Sequence, residues 1–567
     1  MFLKKFFCIL QLFLFQFTLM FASDLEIPSD ADFWSDYPNE ELARFISENM
    51  SDEELLAQIF MFGWSGSEPS QLVMDWIKLR SIGSLKVYGW GTDNVVDVAR
   101  SVVQVQTAAS QTRFKIPLYI ATDQEGGWIR HIKGATSDTP GNLSIGASGE
   151  PQDAFYSGYY IAKELRAMGV NMNFAPTVDI YSNLNSSVIG PRSFGSDAEN
   201  TAVLGSSFAS GTLKAGVIPT AKHFPGHGAT RFDSHGRLPE INISKEVLEN
   251  RELLPFKYLV KENIPAIMVG HLCFPEATGS KVPATFSEYF LQDVLRNQFG
   301  YKGLIITDDM KMYGATIYAG NLMKSFRMAI EAGNDIIISS TTAQLNEDVW
   351  TQNLAYMKKS KEFKDKVQSA AYRVILSKLQ YFKSDNFVPI YPDVENVTNF
   401  IPDREGEKFF LNQACKSLTV YQKESDSIKI TETDSSKIML AGQYEKFIRA
   451  GQEKYPDAKT FYYNYSMGPN ETEWTSNRFY EVSKNCSTII IGCANEQAVS
   501  VAKQAERLKK NGKRVIIVSM LVPTYFMNGE WESDILMCYS YSPYSFKAVF
   551  SALSGEFEPN GCLPLEE

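Results

Sequence analysis

Ile218-Pro219-Thr220-Ala221-Lys222-His223-Phe224-Pro225-Gly226-His227-Gly228 opens as a short β-rich run and closes as a tight loop. Pro225, Gly226 and Gly228 supply the turn chemistry, so the strand ends at Lys222 and His223. The same unit recurs in both directions along the chain. Short β-rich runs at residues 83–88, 118–122, 171–175, 218–222, 266–270, 304–307 and 335–339 alternate with helical patterns at 95–109, 153–167, 201–213, 244–261, 288–297 and 324–332. Strands alternating with helices make a parallel sheet. Seven such units between residues 82 and 383 fit a (β/α)8 TIM-like barrel better than an open sheet. An eighth strand is hard to place. Beyond residue 340 the β pattern weakens, and helices are expected over 346–360 and 364–381.

The residues able to do chemistry follow these strands. Asp123 follows 118–122, Asp179 follows 171–175, and Lys222 and His223 end the 218 run. His271 ends 266–270 and Asp308 ends 304–307. In a barrel the carboxyl ends of the strands share one rim, where side chains from separate segments meet.

A chain of 567 residues exceeds one ordinary hydrophobic core. The expected α/β organisation is a barrel over 24–385, a linker with several prolines over 386–402 and a smaller C-terminal α/β sandwich over 403–567. The last unit carries β-rich runs at 417–421, 437–441, 488–492, 515–520 and 534–538, with helices at 494–510 and 545–553. Residues 1–23 read as a signal peptide or an N-terminal anchor: Lys4 and Lys5 precede an apolar run at 6–22, and Asp24 follows. That predicts export to the periplasm or the extracellular space, free or tethered by the N-terminus. No later stretch is apolar and long enough to span a bilayer. A net charge of −11, with one basic cluster at a helix end (509–514), argues against a nucleic-acid partner. The six cysteines beyond residue 23 are scattered without CxxC spacing, which argues against a zinc site or a disulfide framework. A monomer is expected.

The five histidines are His131, His223, His227, His235 and His271, and three of them fall within residues 223–235. Asp233 stands two residues before His235. In a turn such a carboxylate accepts from the imidazole, fixes its tautomer and raises the basicity of the other nitrogen, which suits a general acid or base. Asp308 and Asp309 are adjacent, so their charges repel and one turns away. The one facing the barrel mouth suits a nucleophile toward an anomeric carbon; a helix N-cap is the other reading of Asp308. Lys222, His223 and Arg192 offer donors for sugar hydroxyls, with a surface ion pair as the other reading of Arg192. Asp123 suits an acceptor for two hydroxyls, or a simple turn carboxylate.

Five motifs, read together, resemble glycoside hydrolase family 3, and within it the β-N-acetylglucosaminidase branch. They are Asp123-Gln124-Glu125-Gly126-Gly127, Asn173-Phe174-Ala175-Pro176-Thr177-Val178-Asp179, Arg192-Ser193-Phe194-Gly195, Lys222 to Gly228 with Asp233-Ser234-His235 behind it, and Thr307-Asp308-Asp309-Met310. They stand in the family's order over about residues 118–312, and the C-terminal unit resembles the family's sandwich domain more weakly. The resemblance implies Asp308 as the nucleophile and His235, oriented by Asp233, as the general acid/base. It implies Asp123, Arg130, Arg192, Lys222 and His223 as sugar contacts, and no metal or organic cofactor. Trp128 is a departure: the branch often has Arg there, and a second Arg three positions on, where this chain has His131. Arg130 is assigned the second role, with His131 as the alternative. The implied partner is a carbohydrate, and the implied activity is that of a retaining exo-β-N-acetylglucosaminidase. It would remove non-reducing terminal N-acetylglucosamine from peptidoglycan fragments or related oligosaccharides. A phosphorylase of N-acetylglucosaminides, a family 3 β-glucosidase, and an inactive sugar- or cell-wall-binding protein are the alternatives.

Overall fold

The computed structural model describes residues 27–64, 68–186, 188–230, 236–424, 427–527 and 529–566. The N-terminal signal segment and the Asp233–His235 pair lie outside the described residues.

Eight parallel strands build the barrel: β1 (Phe60–Trp64), β2 (Ser84–Val87), β3 (Tyr119–Thr122), β4 (Met172–Asn173), β5 (Ile218–Phe224), β6 (Ala266–Val269), β7 (Leu304–Thr307) and β8 (Ile337–Ser339). They follow one another around the ring, and β8 pairs with β1. The ring closes where Asp335 N–H donates to Ile305 O at 2.7 Å and Thr307 N–H donates to Ile336 O at 3.0 Å. Asp335 also fixes the bottom of this seam, accepting from Ile305 N–H at 2.8 Å, Arg296 at 2.6 Å and Arg373 at 2.5 Å. All residues of these strands are buried, because helices cover the outer face and neighbouring strands fill the inner one.

The seven strands expected from sequence are present, and the eighth lies ahead of them rather than beyond residue 340. Helix α1 (Asn39–Asn49) and helix α2 (Asp52–Gln58) precede it, and only Ile59 separates α2 from β1. Ser51 opens α2 with a reciprocal cap: its Oγ accepts from Glu54 N–H at 3.2 Å, and Glu54 Oε2 accepts from Ser51 N–H at 2.8 Å. No turn residue marks the passage from helix to strand, so the Phe-Met-Phe run reads as helix continuation. Gly63 in β1 is required by a close approach. A Cβ there would lie 2.3 Å from the Tyr88 ring and 2.6 Å from Ser340 O. Helix α3 (Lys361–Phe382) packs against α1 and α2 and ends the barrel unit.

Helix α4 (Arg404–Ser417) leads into a six-stranded mixed sheet: β9 (Thr419–Gln422), β10 (Ile438–Gly442), β11 (Lys459–Tyr462), β12 (Thr488–Cys493), β13 (Arg514–Ser519) and β14 (Asp534–Met537). The order is β9-β14-β13-β12-β10-β11, and β9 alone is antiparallel. Alternation along the strands makes two cores. Ile438, Leu440, Ile490 and Ile516 face α5 (Glu445–Lys454) and α8 (Pro543–Leu553). Met439, Ala441, Ile489 and Ile517 face α6 (Pro469–Ser483) and α7 (Glu496–Lys510). The result is the expected three-layer sandwich. Its second core continues into the barrel through Leu143, Ala147 and Tyr181, and the C-terminal segment returns there: Ser196 N–H donates to Pro564 O at 3.0 Å.

Candidate active site

The residues after β3, β4, β5, β6 and β7 converge at the barrel mouth. After β3 the chain makes a small hairpin, Gln124–Gly126 with Ile129–Arg130, which sets Asp123 and Glu125 beside one another. The pairing of β5 with β6 shifts between Ala221 and Phe224. That irregularity lets the consecutive Lys222 and His223 both serve the mouth, where a regular strand would send them to opposite faces. Lys222 Nζ lies 2.6 Å from Asp123 Oδ1 and 2.5 Å from Glu125 Oε1. Lys86, projecting from β2, reaches Asp123 Oδ2 at 2.7 Å. Arg192, at the end of the short turn Gly190–Arg192, grips Glu125 with its fork: Nε to Oε2 is 2.9 Å and Nη2 to Oε1 is 2.8 Å.

These charges are held out of water. Lys222 is 2% exposed and Asp123 is 7% exposed. Burial alone would raise the pKa of Asp123, but Lys222 and Lys86 overcome it and hold the carboxyl well below the usual range. Burial likewise opposes ionisation of Glu125, and Arg192 with Lys222 brings it down to about 2. Burying an ion costs several kcal/mol even in a relaxed protein, roughly what its pairing returns. The cluster therefore does little for stability. It presents donors and acceptors already fixed for a polar ligand.

Asp179, after β4, organises the second part. Its Oδ2 accepts from His223 Nδ1 at 2.7 Å, and its Oδ1 accepts from the backbone N–H groups of His223 at 3.2 Å and His227 at 2.7 Å. Burial works against the Asp179 carboxylate, and His223 and His227 overcome it, so the pKa is lowered. An ionised Asp179 accepts only, so the proton of neutral His223 sits on Nδ1. Its Nε2 then faces Arg192 Nη2 at 3.4 Å as an acceptor. His227 packs edge-on to His223 with ring centroids 5.8 Å apart, and burial pushes its imidazole down to about 4. Below this turn Glu252 presses on Gly226, where a Cβ would lie 2.7 Å from Glu252 Oε2.

Asp308 follows β7, and its N–H donates to Val269 O at 3.0 Å. Of the adjacent carboxylates, Asp309 is the one turned to backbone: its Oδ1 accepts from Ser340 N–H at 2.9 Å and Lys311 N–H at 3.0 Å. Asp308 accepts from Asp309 N–H at 2.7 Å. It is not a helix cap, since the next helix, Tyr313–Ala319, begins from Met312. Burial would raise its pKa, but His223, His271, the Asp309 N–H and Lys86 lower it further. An ionised carboxylate thus stands at the mouth. Beside it, His271 Nε2–H donates to Asp309 O at 3.0 Å, and its Nδ1 lies 2.8 Å from the Thr285 hydroxyl.

Asp123, Arg192, Lys222, His223 and Asp308 therefore come together. Arg130 does not join them: its Nη1 donates to Thr136 O at 2.5 Å, while His131 Nδ1 stands 3.5 Å from Asp123 Oδ2. Asp233 and His235 lie outside the described residues. Lys86 and Glu125 were given no role from the sequence, and Asp179 was placed at the rim without one. Lys86 was visible as a lysine inside a β-rich run, and Asp179 as a carboxylate at a strand end.

The description "Glycosyl hydrolase family 3 N terminal domain" fits residues 51–376. A β-hexosaminidase A of Pseudoalteromonas piscicida is 32% identical over 408 residues, 62% of this chain and 67% of that protein. A β-hexosaminidase of Tolumonas auensis is 35% identical over 262 residues, 46% of this chain and 75% of that protein. Among solved structures, a glycoside hydrolase family 3 β-N-acetylglucosaminidase from Paenibacillus sp. str. FPU-7 superposes with a TM-score of 0.79 at 25% identity, covering 91% of this chain and 99% of that one. Motif order, barrel and these likenesses agree: the chain belongs to glycosyl hydrolase family 3 and is a glycoside hydrolase.

Proposed function

We propose that the chain is a retaining exo-β-N-acetylglucosaminidase acting on the non-reducing end of its glycan. The observation that carries this reading is the convergence, on one barrel rim, of Asp308 at the end of β7 with a buried, fully paired grip of Asp123, Lys222, Glu125 and Arg192. The Asp308 carboxylate attacks the anomeric carbon while His235, oriented by Asp233, protonates the departing glycosidic oxygen. The carbon–oxygen bond breaks and a glycosyl ester forms on Asp308. Neutral His235 then takes a proton from water, the water oxygen bonds to the anomeric carbon, and Asp308 leaves as a carboxylate. Two inversions give net retention. Arg192, Lys222, His223 and Asp123 hold the ring hydroxyls, which restricts the sugar to the reactive geometry.

The N-acetylated sugar is supported by the relatives named β-hexosaminidase and by the β-N-acetylglucosaminidase structure. The N-terminal signal pattern supports action outside the cytoplasm, and with the resemblance to the β-N-acetylglucosaminidase branch it favours peptidoglycan fragments as substrate. An aryl β-N-acetylglucosaminide assay tests the reading. Asp308→Ala should lower kcat by at least about 1,000-fold, a barrier change of roughly 4 kcal/mol. Hydrolysis that persists near the wild-type rate would remove Asp308 from the mechanism. An aryl glucoside hydrolysed as well as the N-acetylglucosaminide would overturn the sugar assignment.

A further inference from the structure

Trp128, the departure from the family pattern, leads out of the pocket to a second aromatic surface. It sits in the hairpin that carries Glu125 and is 41% exposed. A Cβ at Gly190, two residues before Arg192, would meet the Trp128 indole at 4.0 Å and Val522 of the sandwich at 3.7 Å. The Trp128 carbonyl accepts from the Tyr541 hydroxyl at 3.3 Å. Tyr541 stacks on Tyr444 with centroids 5.5 Å apart at 25°, and Tyr444 meets Tyr465 at 6.2 Å. Tyr525 stands three residues beyond Val522, and its neighbour Phe526 shares one core cluster with Tyr181, two residues beyond Asp179.

These tyrosines come from separate segments, Tyr525 from the short helix Thr524–Met527. Tyr444 follows β10, Tyr465 follows β11, Tyr525 follows β13 and Tyr541 follows β14. They occupy the carboxyl edge of the parallel part of the sheet, where open α/β sheets place ligands. Tyr465 is 44% exposed and Tyr525 is 38% exposed, while Tyr444 and Tyr541 are half-buried with one side against the sandwich core. The surface touches the pocket through the two barrel loops that carry Glu125 and Asp179.

Resting on the proposed glycosidase activity, we propose that Trp128, Tyr444, Tyr465, Tyr525 and Tyr541 form a saccharide platform for the sugar units beyond the bond that is cut. Three features select a glycan as occupant. Tyrosine and tryptophan pair an apolar face with a polar edge, matching the C–H face and hydroxyl rim of a pyranose. The Asp123–Lys222–Glu125 cluster is buried at the barrel mouth, so a glycan gripped there extends away from it toward the exposed rings. The platform begins where the pocket's own loops end.

The test compares a β-linked N-acetylglucosamine tetrasaccharide with an aryl β-N-acetylglucosaminide, in wild type and in Tyr465→Ala and Tyr525→Ala. The ratio of the two kcat/KM values should fall about tenfold in each variant, through KM for the tetrasaccharide, and Tyr465→Phe should restore it; about tenfold corresponds to roughly 1.4 kcal/mol. A ratio within twofold of wild type in both Ala variants would overturn the platform. Calorimetric titration of Asp308→Ala reads binding without turnover: the tetrasaccharide should bind about tenfold more tightly than N-acetylglucosamine, and adding Tyr465→Ala should remove the difference. Equal affinities would refute the platform. Absence of aryl glycoside hydrolysis by the wild type would refute the activity instead, and leaves the titration to decide the platform separately.

Discussion

Asp179→Asn is the substitution whose consequences the structure dictates most fully. Asp179 is completely buried and accepts three hydrogen bonds, from two backbone N–H groups and from His223 Nδ1. An asparagine keeps one oxygen for the backbone donors but turns its NH2 toward His223. The imidazole must then accept at Nδ1 and carry its proton on Nε2, which points that proton at Arg192 Nη2, 3.4 Å away. Two donors would face each other. Hydrogen bonds to a charged acceptor contribute about 1 kcal/mol more than neutral ones, so the two backbone bonds lose about 2 kcal/mol together. The inverted imidazole contact adds the cost of a mismatched buried polar group, about 1–3 kcal/mol. A stability loss of about 3–5 kcal/mol follows, read by urea unfolding. The sugar grip loses a correctly oriented acceptor, so kcat/KM on an aryl β-N-acetylglucosaminide should fall about 100-fold, roughly 2.7 kcal/mol. Nitrogen-15 NMR of the histidines should show the His223 proton move from Nδ1 to Nε2. If kcat/KM stays within threefold of wild type, or the His223 tautomer does not change, the role given to Asp179 is wrong.

Glu252→Gln probes the carboxyl under Gly226, which burial pushes up from 4.5 to about 7. The native state then binds its proton more tightly than the unfolded chain, so stability is full below pH 4.5 and is lost as pH rises through 7. The variant should gain up to about 3 kcal/mol over wild type between pH 4.5 and pH 8 in denaturant titrations; parallel curves would contradict this. Gly63→Ala places a methyl against the Tyr88 ring and Ser340 O, and should cost at least about 1–3 kcal/mol, seen as a lower Tm with the fold retained. Lys86→Met breaks the buried pair with Asp123 and leaves Lys222 and Arg192 against Asp123, Glu125 and Asp308, so stability should fall by about 3–5 kcal/mol. KM for the N-acetylglucosaminide should rise, and an unaltered KM would place Lys86 outside the sugar grip.

The barrel was legible because its strands are buried on both faces and read as unbroken apolar runs between helices. β1 escaped because α2 runs into it without punctuation. β11 escaped for the opposite reason: Lys459-Thr460-Phe461-Tyr462 lies at the sheet edge, is largely solvated, and lacks an apolar run. The 244–261 helix was readable as helical but not in its irregularity. It is Lys245–Val247, a π-turn at Leu248–Glu252, then Leu254–Lys261, and the wide turn sets Glu252 against Gly226. At the site, strand-end carboxylates and cations announced themselves by position. Their partners did not, since Asp179 meets His223 across 44 residues and Lys222 meets Asp123 across 99. Lys86 lay hidden in a strand, where a lysine usually marks the solvent face.

The charge arrangement explains more than sugar binding. Lys86, Lys222 and Arg192 stand against Asp123 and Glu125, and the unmatched cation is answered across the mouth by Asp308. Asp179 is engaged with His223 and two backbone donors, so it adds little to this balance. An aliphatic replacement for so many buried ions would be at least as stable, so stability is not what the arrangement secures. In the proposed mechanism Asp308 loses its charge when it bonds to the sugar. His235 gives up its proton in the same step, so the change is local: the grip then holds three cations against Asp123 and Glu125. That surplus favours the return of the carboxylate, and so favours the second displacement over accumulation of the ester. The same field lowers the pKa of Asp308, which weakens it as a nucleophile but improves it as a leaving group. A two-step displacement needs both, and a grip of buried, paired ions sets the compromise without moving any group between the steps.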